Sequence, residues 1–307
     1  MADIQLTRDP TLHDGTKSRS WRDSLARLSL KMPAIAALFV WSVIPLFMTL
    51  WFSFRRYNIM EPDRTGFDGL GNYRYLLSDP SLALAIWNTI LLLGSVLVIT
   101  IGTGTLLAVL FDQEFFGRGI ARVLVLAPFF IMPTVSALVW KNMMMHPDNG
   151  FLAFLMRCVG LKPIDWFGVA PLTSIIIIVS WQWLPFAVLT LLTAVQSLDP
   201  ERKEAARMDG AGPIAMFRYI ILPHLGRAIA ATTMIESIFF LGIFAEIYVT
   251  TSGGPGFAST NLSFLIYRYA LMEYDIGGAS VAGLVAIVLA NVLAWFLMRS
   301  FARNLDA

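Results

Sequence analysis

Charged residues are scarce in this sequence. Asp, Glu, Lys and Arg make up 14% of its 307 residues, against roughly a quarter in an ordinary soluble domain. Hydrophobic residues account for 57%, and so few charges cannot solvate a globule that withdraws more than half of its chain into one core. The composition therefore excludes a soluble enzyme, a disordered chain and a fibrous repeat, and it is typical of a protein that crosses a membrane several times.

Other absences narrow the function. Cys158 is the only cysteine, so no intrachain disulfide forms. No Gly-Lys pair occurs, so the chain has no P-loop for the phosphates of ATP. His13, His146 and His224 are too scattered for a metal site or a nucleophilic triad. The net charge of +2 lacks the basic excess of a nucleic-acid binder. We expect no catalytic residue, metal, cofactor or nucleic acid on this chain.

Six apolar stretches reach the length of about 20 residues that a helix needs to cross a bilayer. They predict an all-α polytopic membrane protein with six transmembrane helices, at about residues 32–54, 86–111, 123–145, 172–195, 229–249 and 276–298. The third and fourth contain prolines, which membrane helices tolerate where neighbouring groups satisfy the freed carbonyls.

Lys and Arg set the predicted orientation. Fifteen of the 23 lie in the first 31 residues, in the loops after spans 2 and 4, and in the tail. The positive-inside rule places these segments and both termini in the cytoplasm. Arg55 and Arg56 run against the rule and are interpreted as interfacial anchors. We divide the chain into a cytoplasmic segment (1–31), a membrane domain (32–299) and a cytoplasmic tail (300–307). We expect span 1, rather than a cleaved signal peptide, to direct insertion.

The loop between spans 4 and 5, at about residues 196–228, has the clearest local signals. Asp199 suits an N-cap and Pro200 the first helical position. Gly210 suits the left-handed residue that ends a helix. A second short helix is expected from Pro213, and Pro223 is expected to interrupt the helical pattern before span 5.

The same loop resembles a known family. The order Glu204-Ala205-Ala206, three residues, Gly210, nine residues, Ile220, one residue, Leu222-Pro223 matches the EAA loop of binding-protein-dependent ABC importer permeases. Residues 67–80 with Asn88-Thr89, and residues 251–260, resemble the carbohydrate-importer branch of that family. Residues 251–267 look most like its polyol subgroup, which takes sorbitol or mannitol.

The resemblance implies an ABC type I importer permease fold in the bacterial inner membrane. It also implies four kinds of partner: the lipid bilayer, a second homologous permease, two copies of an ATPase that binds the ATP, and a periplasmic or extracellular substrate-binding protein. Coupling to the ATPase falls on Glu204, Ala205, Ala206, Asp209 and Gly210. We expect the two alanines to leave one side of the helix low enough for a partner to approach. The alternative is a connecting loop with surface charges.

Polar groups at membrane depth call for an explanation, because a charge within a span costs about 2.5–3.5 kcal/mol on insertion scales. Glu236 lies within span 5, and Glu246 lies near its outer end, where we expect water to reach it. Gln182 lies between two tryptophans, and Asn291 stands among aliphatic residues in span 6. We interpret Asn291 as a hydrogen-bonding link between helices. A carboxylate and an amide beside aromatic rings suit a sugar or a polyol.

Similarity to maltose-importer permeases assigns substrate contact to six positions: Glu236, Gln182, Trp183, Phe186, Phe239 and Phe240. The alternatives stay open at this point. The rings also suit helix packing or lipid contact, Gln182 a hydrogen bond to a neighbouring helix, and Glu236 a pair with the partner permease. For Glu246 we consider the gate or the contact with the binding protein.

These observations predict the permease subunit of an ATP-driven importer for a carbohydrate, with a sugar alcohol as the first choice, working by alternating access. Another sugar or a glycerol-phosphate-type compound is the alternative substrate. An ion-coupled secondary transporter that uses Glu236 or Glu246 is the alternative mechanism. A membrane-embedded enzyme or assembly factor would need a catalytic constellation, and none is found.

Overall fold

A computed structural model describes residues 21–305, with side chains from 31 to 300. Its helices are α1 Trp21–Ser53, α2 Gly71–Ser78, α3 Pro80–Asp112, α4 Arg118–Leu126, α5 Pro133–Val139, α6 Phe151–Cys158, α7 Trp166–Val169, α8 Pro171–Gln196, α9 Pro200–Met208, α10 Pro213–Met216, α11 Leu222–Leu241, α12 Ala245–Thr250, α13 Leu262–Tyr267 and α14 Ile276–Leu305. Short strands β1 (Arg55–Arg56) and β2 (Gly66–Phe67) pair antiparallel. The part of α1 up to Met48 belongs to a separate unit, and the contacts described below lie within the unit that begins at Thr49.

Among the described residues, five helices are long and apolar enough to cross a membrane: Lys31–Ser53, Pro80–Asp112, Pro171–Gln196, Pro213–Leu241 and Ile276–Ser300. A sixth span is present if Arg118–Phe130 and Pro133–Met144, which meet at a bend of 108°, are taken together. The predicted all-α architecture is therefore confirmed, with the third span divided.

The prediction of one continuous helix over 123–145 is wrong, and Pro133 explains the break. A residue that precedes proline avoids the helical region, and Met132 is extended, with φ −61° and ψ 139°. Ile131 is extended as well, after a 3₁₀ turn at Ala127–Phe130. The chain resumes as α5 with Pro133 in its first turn, where no N–H is needed.

The predicted bounds of span 5 are also wrong. The helical path starts at Pro213 and passes Pro223 without interruption, because a π-helical turn at Phe217–Ile221 comes directly before α11. In such a turn hydrogen bonds run to the fifth residue back, and the N–H of Leu222 bonds the Phe217 carbonyl. This helix ends at Leu241. Because it starts at Pro213, the expected second short helix of the loop is the beginning of span 5.

α3 and α8 lie in direct contact. A Cβ added to Gly104 of α3 would lie 2.8 Å from the Cβ of Ala187 in α8. Two apolar clusters continue this contact toward the two ends. One is built around Val96, Val179 and Phe240, and the other is built from Ala108, Phe111, Leu191, Val195 and Leu225. Both clusters include side chains of α11, so α3, α8 and α11 form one packed group.

Candidate functional site

The predicted caps of the loop helix α9 are confirmed. Asp199 Oδ1 accepts the N–H of Glu201 at 3.0 Å, which satisfies one of the free amides of the first turn. Gly210 has φ +83°, and the N–H of Ala211 bonds the Ala206 carbonyl at 2.9 Å. This is the reversed turn by which a left-handed glycine closes a helix.

The five predicted coupling residues differ in exposure. Glu204, Ala205, Asp209 and Gly210 are exposed, but Ala206 is only 9% exposed and faces inward. Both alanines nonetheless line one groove with Asp209 and His224, and the expectation that they leave one side of the helix low stays a prediction. Adjacent residues on a helix point about 100° apart, so one alanine packs inward and the other lines the surface. The loop also exposes two apolar side chains, Met208 at 88% and Ile214 at 82%.

An ion pair connects α9 to the end of α3. Lys203 Nζ lies 2.7 Å from Asp112 Oδ2, and both side chains are largely covered. The pair borders a cavity of about 730 Å³ that Glu114 and Arg207 also line. Neither residue was predicted as part of a site from the sequence, because nothing in two local patterns 91 residues apart indicates that they meet.

His224 occupies the junction between α8 and α11. Its Nε2 lies 3.0 Å from the Ala194 carbonyl and 3.1 Å from Ser197 Oγ. The Ala194 carbonyl, in the last turn of α8, also accepts the N–H and the hydroxyl of Ser197, so His224 adds a further contact at this helix end. This bond ties the end of one span to the beginning of the next.

The four predicted aromatic positions meet in one cluster with Trp183 at its centre. The Trp183 ring centroid lies 4.9 Å from Phe239, 5.4 Å from Phe240 and 6.1 Å from Phe186. Phe129, which was not predicted from the sequence, completes the cluster by packing edge-on to Trp183 and stacking on Phe186. Phe129 reaches this position because the chain turns at the broken third span.

The cluster has a buried side and an accessible side. Phe240 is 1% exposed, whereas Phe239 is 55% exposed. Trp183 and Phe186 have intermediate exposure. Accessible ring faces and edges can pack against the C–H groups of a carbohydrate while the buried ring holds the others in place.

Glu236 is fully buried at the contact between α11 and α3. Its Oε2 lies 2.7 Å from Thr100 Oγ1, and its Oε1 has no hydrogen-bond partner among the described residues. The Thr100 hydroxyl also lies 2.9 Å from the Val96 carbonyl, and its single hydrogen serves one of the two oxygens. Phe240 follows Glu236 by one helical turn, so the carboxyl lies beside the aromatic cluster.

Gln182 forms a hydrogen bond to the backbone at the break in the third span. Its Nε2 donates to the Ile131 carbonyl at 2.9 Å, a carbonyl that the extended backbone before Pro133 leaves outside any helix. Its Oε1 is buried without a partner among the described residues. The hydrogen bond to a neighbouring element, one of the alternatives for Gln182, is therefore present, and one acceptor is left over.

The other polar residues of the spans lie differently from expectation. Glu246 is 4% exposed within α12, because the helix breaks at Gly242 and turns this residue inward rather than toward water. Asn291 donates to the Ile287 carbonyl of its own helix at 2.8 Å. This bond within α14 stands in place of the expected link between helices.

The two stretches that resemble carbohydrate importers contact each other. Asn88 Nδ2 donates to the carbonyls of Phe257 and Thr260 at 3.0 and 2.9 Å. Thr89 Oγ1 accepts the N–H of Leu262 at 3.0 Å. Asn261 then donates to the Ile243 carbonyl at 2.6 Å. Through these hydrogen bonds the loop 251–261 connects α3 to the break after α11, next to the aromatic cluster.

The fold matches one chain of a solved structure described as "Crystal structure of bacterial alginate ABC transporter in complex with alginate pentasaccharide-bound periplasmic protein". The TM-score is 0.76 at 24% identity, over 93% of this chain and 98% of that one. At this identity the match shows the type I importer permease fold and no more.

The chain belongs to the family described as "Binding-protein-dependent transport system inner membrane component", which matches residues 28–307. A probable ABC transporter permease of Sinorhizobium fredii, y4oQ, is 33% identical over 89% of this chain and 90% of its own length. The trehalose/maltose permease MalF of Thermococcus litoralis is 28% identical over 94% and 98%. The protein is therefore a multi-pass membrane subunit of an ABC importer and not an enzyme, and the alternative of an ion-coupled transporter is set aside.

Proposed function

We propose that this permease carries a carbohydrate, in the first place a sugar alcohol such as sorbitol or mannitol, across the bacterial inner membrane by alternating access. The observation that carries the proposal is the aromatic cluster around Trp183, together with the buried acceptors Gln182 Oε1 and Glu236 Oε1. Rings pack on C–H groups, and free acceptors take hydroxyl hydrogens. Relatives named for trehalose and maltose support the carbohydrate class.

The choice within that class follows from chemistry and from the loop sequence. Both free acceptors at the site belong to side chains that suit neutral hydroxyl groups, and the contacts described above for Glu236 and Gln182 are with a hydroxyl and a backbone carbonyl rather than with a cation. This disfavours a glycerol-phosphate-type substrate, because a buried phosphate needs positive partners. The likeness of residues 251–267 to the polyol subgroup supports a sugar alcohol.

The loop helix α9 is proposed as the element that docks on a separate ATPase. Its exposed Glu204, Ala205, Asp209 and Gly210 lie beside exposed Met208, which offers charge, close approach and apolar area together. Ala206 supports this surface from beneath, and ATP is bound by the ATPase. The loop and both termini then lie in the cytoplasm, and residues 1–31 and 300–307 form cytoplasmic segments on either side of a membrane domain at 32–299.

The proposed assembly contains this chain, a second homologous permease, two ATPase copies and a substrate-binding protein outside. Exposed apolar residues on α3, among them Trp87 at 61% and Val98 at 75%, are available for the second permease or for lipid. A solved relative of the same fold is described in complex with a ligand-bound periplasmic protein, which supports the binding-protein part of the proposal.

The test uses the assembled complex in proteoliposomes with its binding protein and internal ATP. We expect ATP-dependent uptake of radiolabelled sorbitol or mannitol, and weaker uptake of maltose and trehalose. Uptake of glycerol 3-phosphate alone, or uptake that an ionophore abolishes while ATP is maintained, would contradict the proposal.

Two variants test the assigned residues. Glu204→Lys is expected to abolish coupled uptake while membrane insertion persists, and Glu61→Lys, at an exposed position remote from that loop, serves as its control. Glu236→Gln keeps the shape of the side chain and removes the charge. A changed substrate preference of this variant supports a substrate role, and an unchanged dependence of ATPase activity on substrate removes Glu236 from the site.

A further inference from the structure

The Lys203–Asp112 ion pair gives α9 a support on α3, to which the loop has no covalent link. Along the chain, α9 is joined to α8 through residues 197–199 and to α11 through α10. Lys203 Nζ and Asp112 Oδ2, at 2.7 Å, add the third helix of the packed group. The loop helix is therefore linked to α3, α8 and α11.

Burial distinguishes this pair from the other charges of α9. The Lys203 side chain is 20% exposed and that of Asp112 is 26%. The other charged residues of the helix are all exposed: Glu201, Arg202, Glu204 and Arg207. A largely covered pair is screened less by salt than an exposed one, and its side chains have already lost part of their rotamer freedom. It can therefore hold one geometry while the exposed charges stay available to a partner.

The end of α3 that carries Asp112 is firmly packed. Phe111, its neighbour, is 3% exposed within the cluster shared with α8 and α11, and Gly104 lies against Ala187. Twelve residues before Asp112 comes Thr100, which bonds Glu236. At a rise of about 1.5 Å per residue the two positions lie about 18 Å apart along one helix. α3 thus connects the loop helix to the buried carboxyl of the proposed substrate site.

We propose that Lys203 and Asp112 are positioning residues that make α3 follow α9 when the loop helix moves. The movement that the ATPase drives is then transmitted to Glu236 through α3 as well as through the covalent links of α9 to α8 and α11. This rests on the proposed function, in which α9 docks on the ATPase. The pair itself contacts neither substrate nor ATP.

The experiment measures sugar uptake and ATP hydrolysis in parallel in the full reconstituted complex. Asp112→Lys and Lys203→Asp each break the pair, and the double variant restores it with the charges exchanged. We expect each single variant to assemble, to hydrolyse ATP and to show about fivefold less uptake per ATP, the factor that corresponds to ~1 kcal/mol of lost coupling. The double variant is expected to recover most of the ratio.

Two controls keep the result interpretable. Exchanging the exposed pair Glu61 and Arg64 in the same way should leave the ratio unchanged. The neutral variants Asp112→Asn and Lys203→Met remove the attraction without introducing repulsion, and they replace the reversals if a reversed chain does not assemble. They should lower uptake per ATP in the same direction.

The outcomes separate this proposal from the function on which it rests. If the unmodified complex shows no ATP-dependent uptake, the proposed function fails. If that complex transports but the single and neutral variants keep its uptake per ATP, the positioning role fails. It also fails if the charge-exchanged double variant stays as impaired as the single ones, because the position rather than the ion pair is then what matters.

Discussion

Replacing Gly104 by alanine should separate α3 from α8. The added Cβ would lie 2.8 Å from the Cβ of Ala187, whereas carbon atoms pack best at about 3.5–4.0 Å. The helices must therefore move apart by about 0.7–1.2 Å, and forcing an extra carbon into a packed interior costs about 1–3 kcal/mol. Alanine recovers about 1 kcal/mol as a better helix former. The net effect is a loss of zero to about 2 kcal/mol.

Gly102 provides a matched control two residues away in the same helix. An added Cβ there meets nothing within 4 Å, so Gly102→Ala should gain only the helix-forming term. The two variants should therefore differ by about 1–3 kcal/mol in the free energy of unfolding. The double variant Gly104→Ala with Ala187→Gly moves the methyl group to the other helix and should recover most of the loss.

Thermal unfolding of the purified protein in detergent measures this difference. For a chain of this size, each kcal/mol shifts Tm by about 1.5 °C, so a difference of about 1–3 kcal/mol means that Gly104→Ala should melt about 2–5 °C below Gly102→Ala. Equal melting temperatures for the two variants would refute the close contact of α3 with α8. A double variant no better than Gly104→Ala would show that the methyl group acts on something other than Ala187.

Three further predictions concern single hydrogen bonds and one backbone turn. Asn88→Ala removes the donor from the Thr260 carbonyl and leaves the Phe257 carbonyl only the N–H of Thr260, and a buried carbonyl without a partner costs about 1–3 kcal/mol. Limited proteolysis should therefore cut the loop 251–261 faster, and unchanged cleavage would contradict the contact. Gln182→Leu removes the hydrogen-bond donor of the Ile131 carbonyl, so backbone amide hydrogen exchange around the break in the third span should speed up. Exchange as slow as in the unmodified protein would show that water replaces the Gln182 side chain as donor. Gly210→Ala imposes a left-handed conformation costing about 1–2 kcal/mol and should lower coupled uptake, whereas Gly212→Ala, with φ −71°, should not; equal uptake by both would refute the role of the turn.

Local signals predicted local structure well. The apolar runs predicted the spans because a bilayer requires about 20 apolar residues in each, and Asp199 and Gly210 predicted the two ends of α9 because capping depends on neighbouring backbone groups. Proline was harder to interpret. Pro133 begins a new helix after a break whereas the helical path passes Pro223 without interruption, and the difference arises from a π-helical turn at Phe217–Ile221 that no local rule indicates.

The predicted substrate positions show the same division. Trp183, Phe186, Phe239 and Phe240 were assigned by resemblance, and the structure brings all four together. Phe129 was missed because its approach depends on the bend at Ile131, which carries it back to α8. Whether these residues contact a substrate stays a prediction, and the uptake experiments decide it.

The sequence by itself determined that the chain is a helical membrane protein, where most of its spans lie and how its loop helix is capped. These properties follow from composition, periodicity and the nearest few residues. Only the tertiary structure decided that Lys203 meets Asp112, that Thr100 meets Glu236 and that Gly104 touches Ala187. Such pairs depend on how helices far apart in the chain pack together, and no short stretch of sequence contains that information.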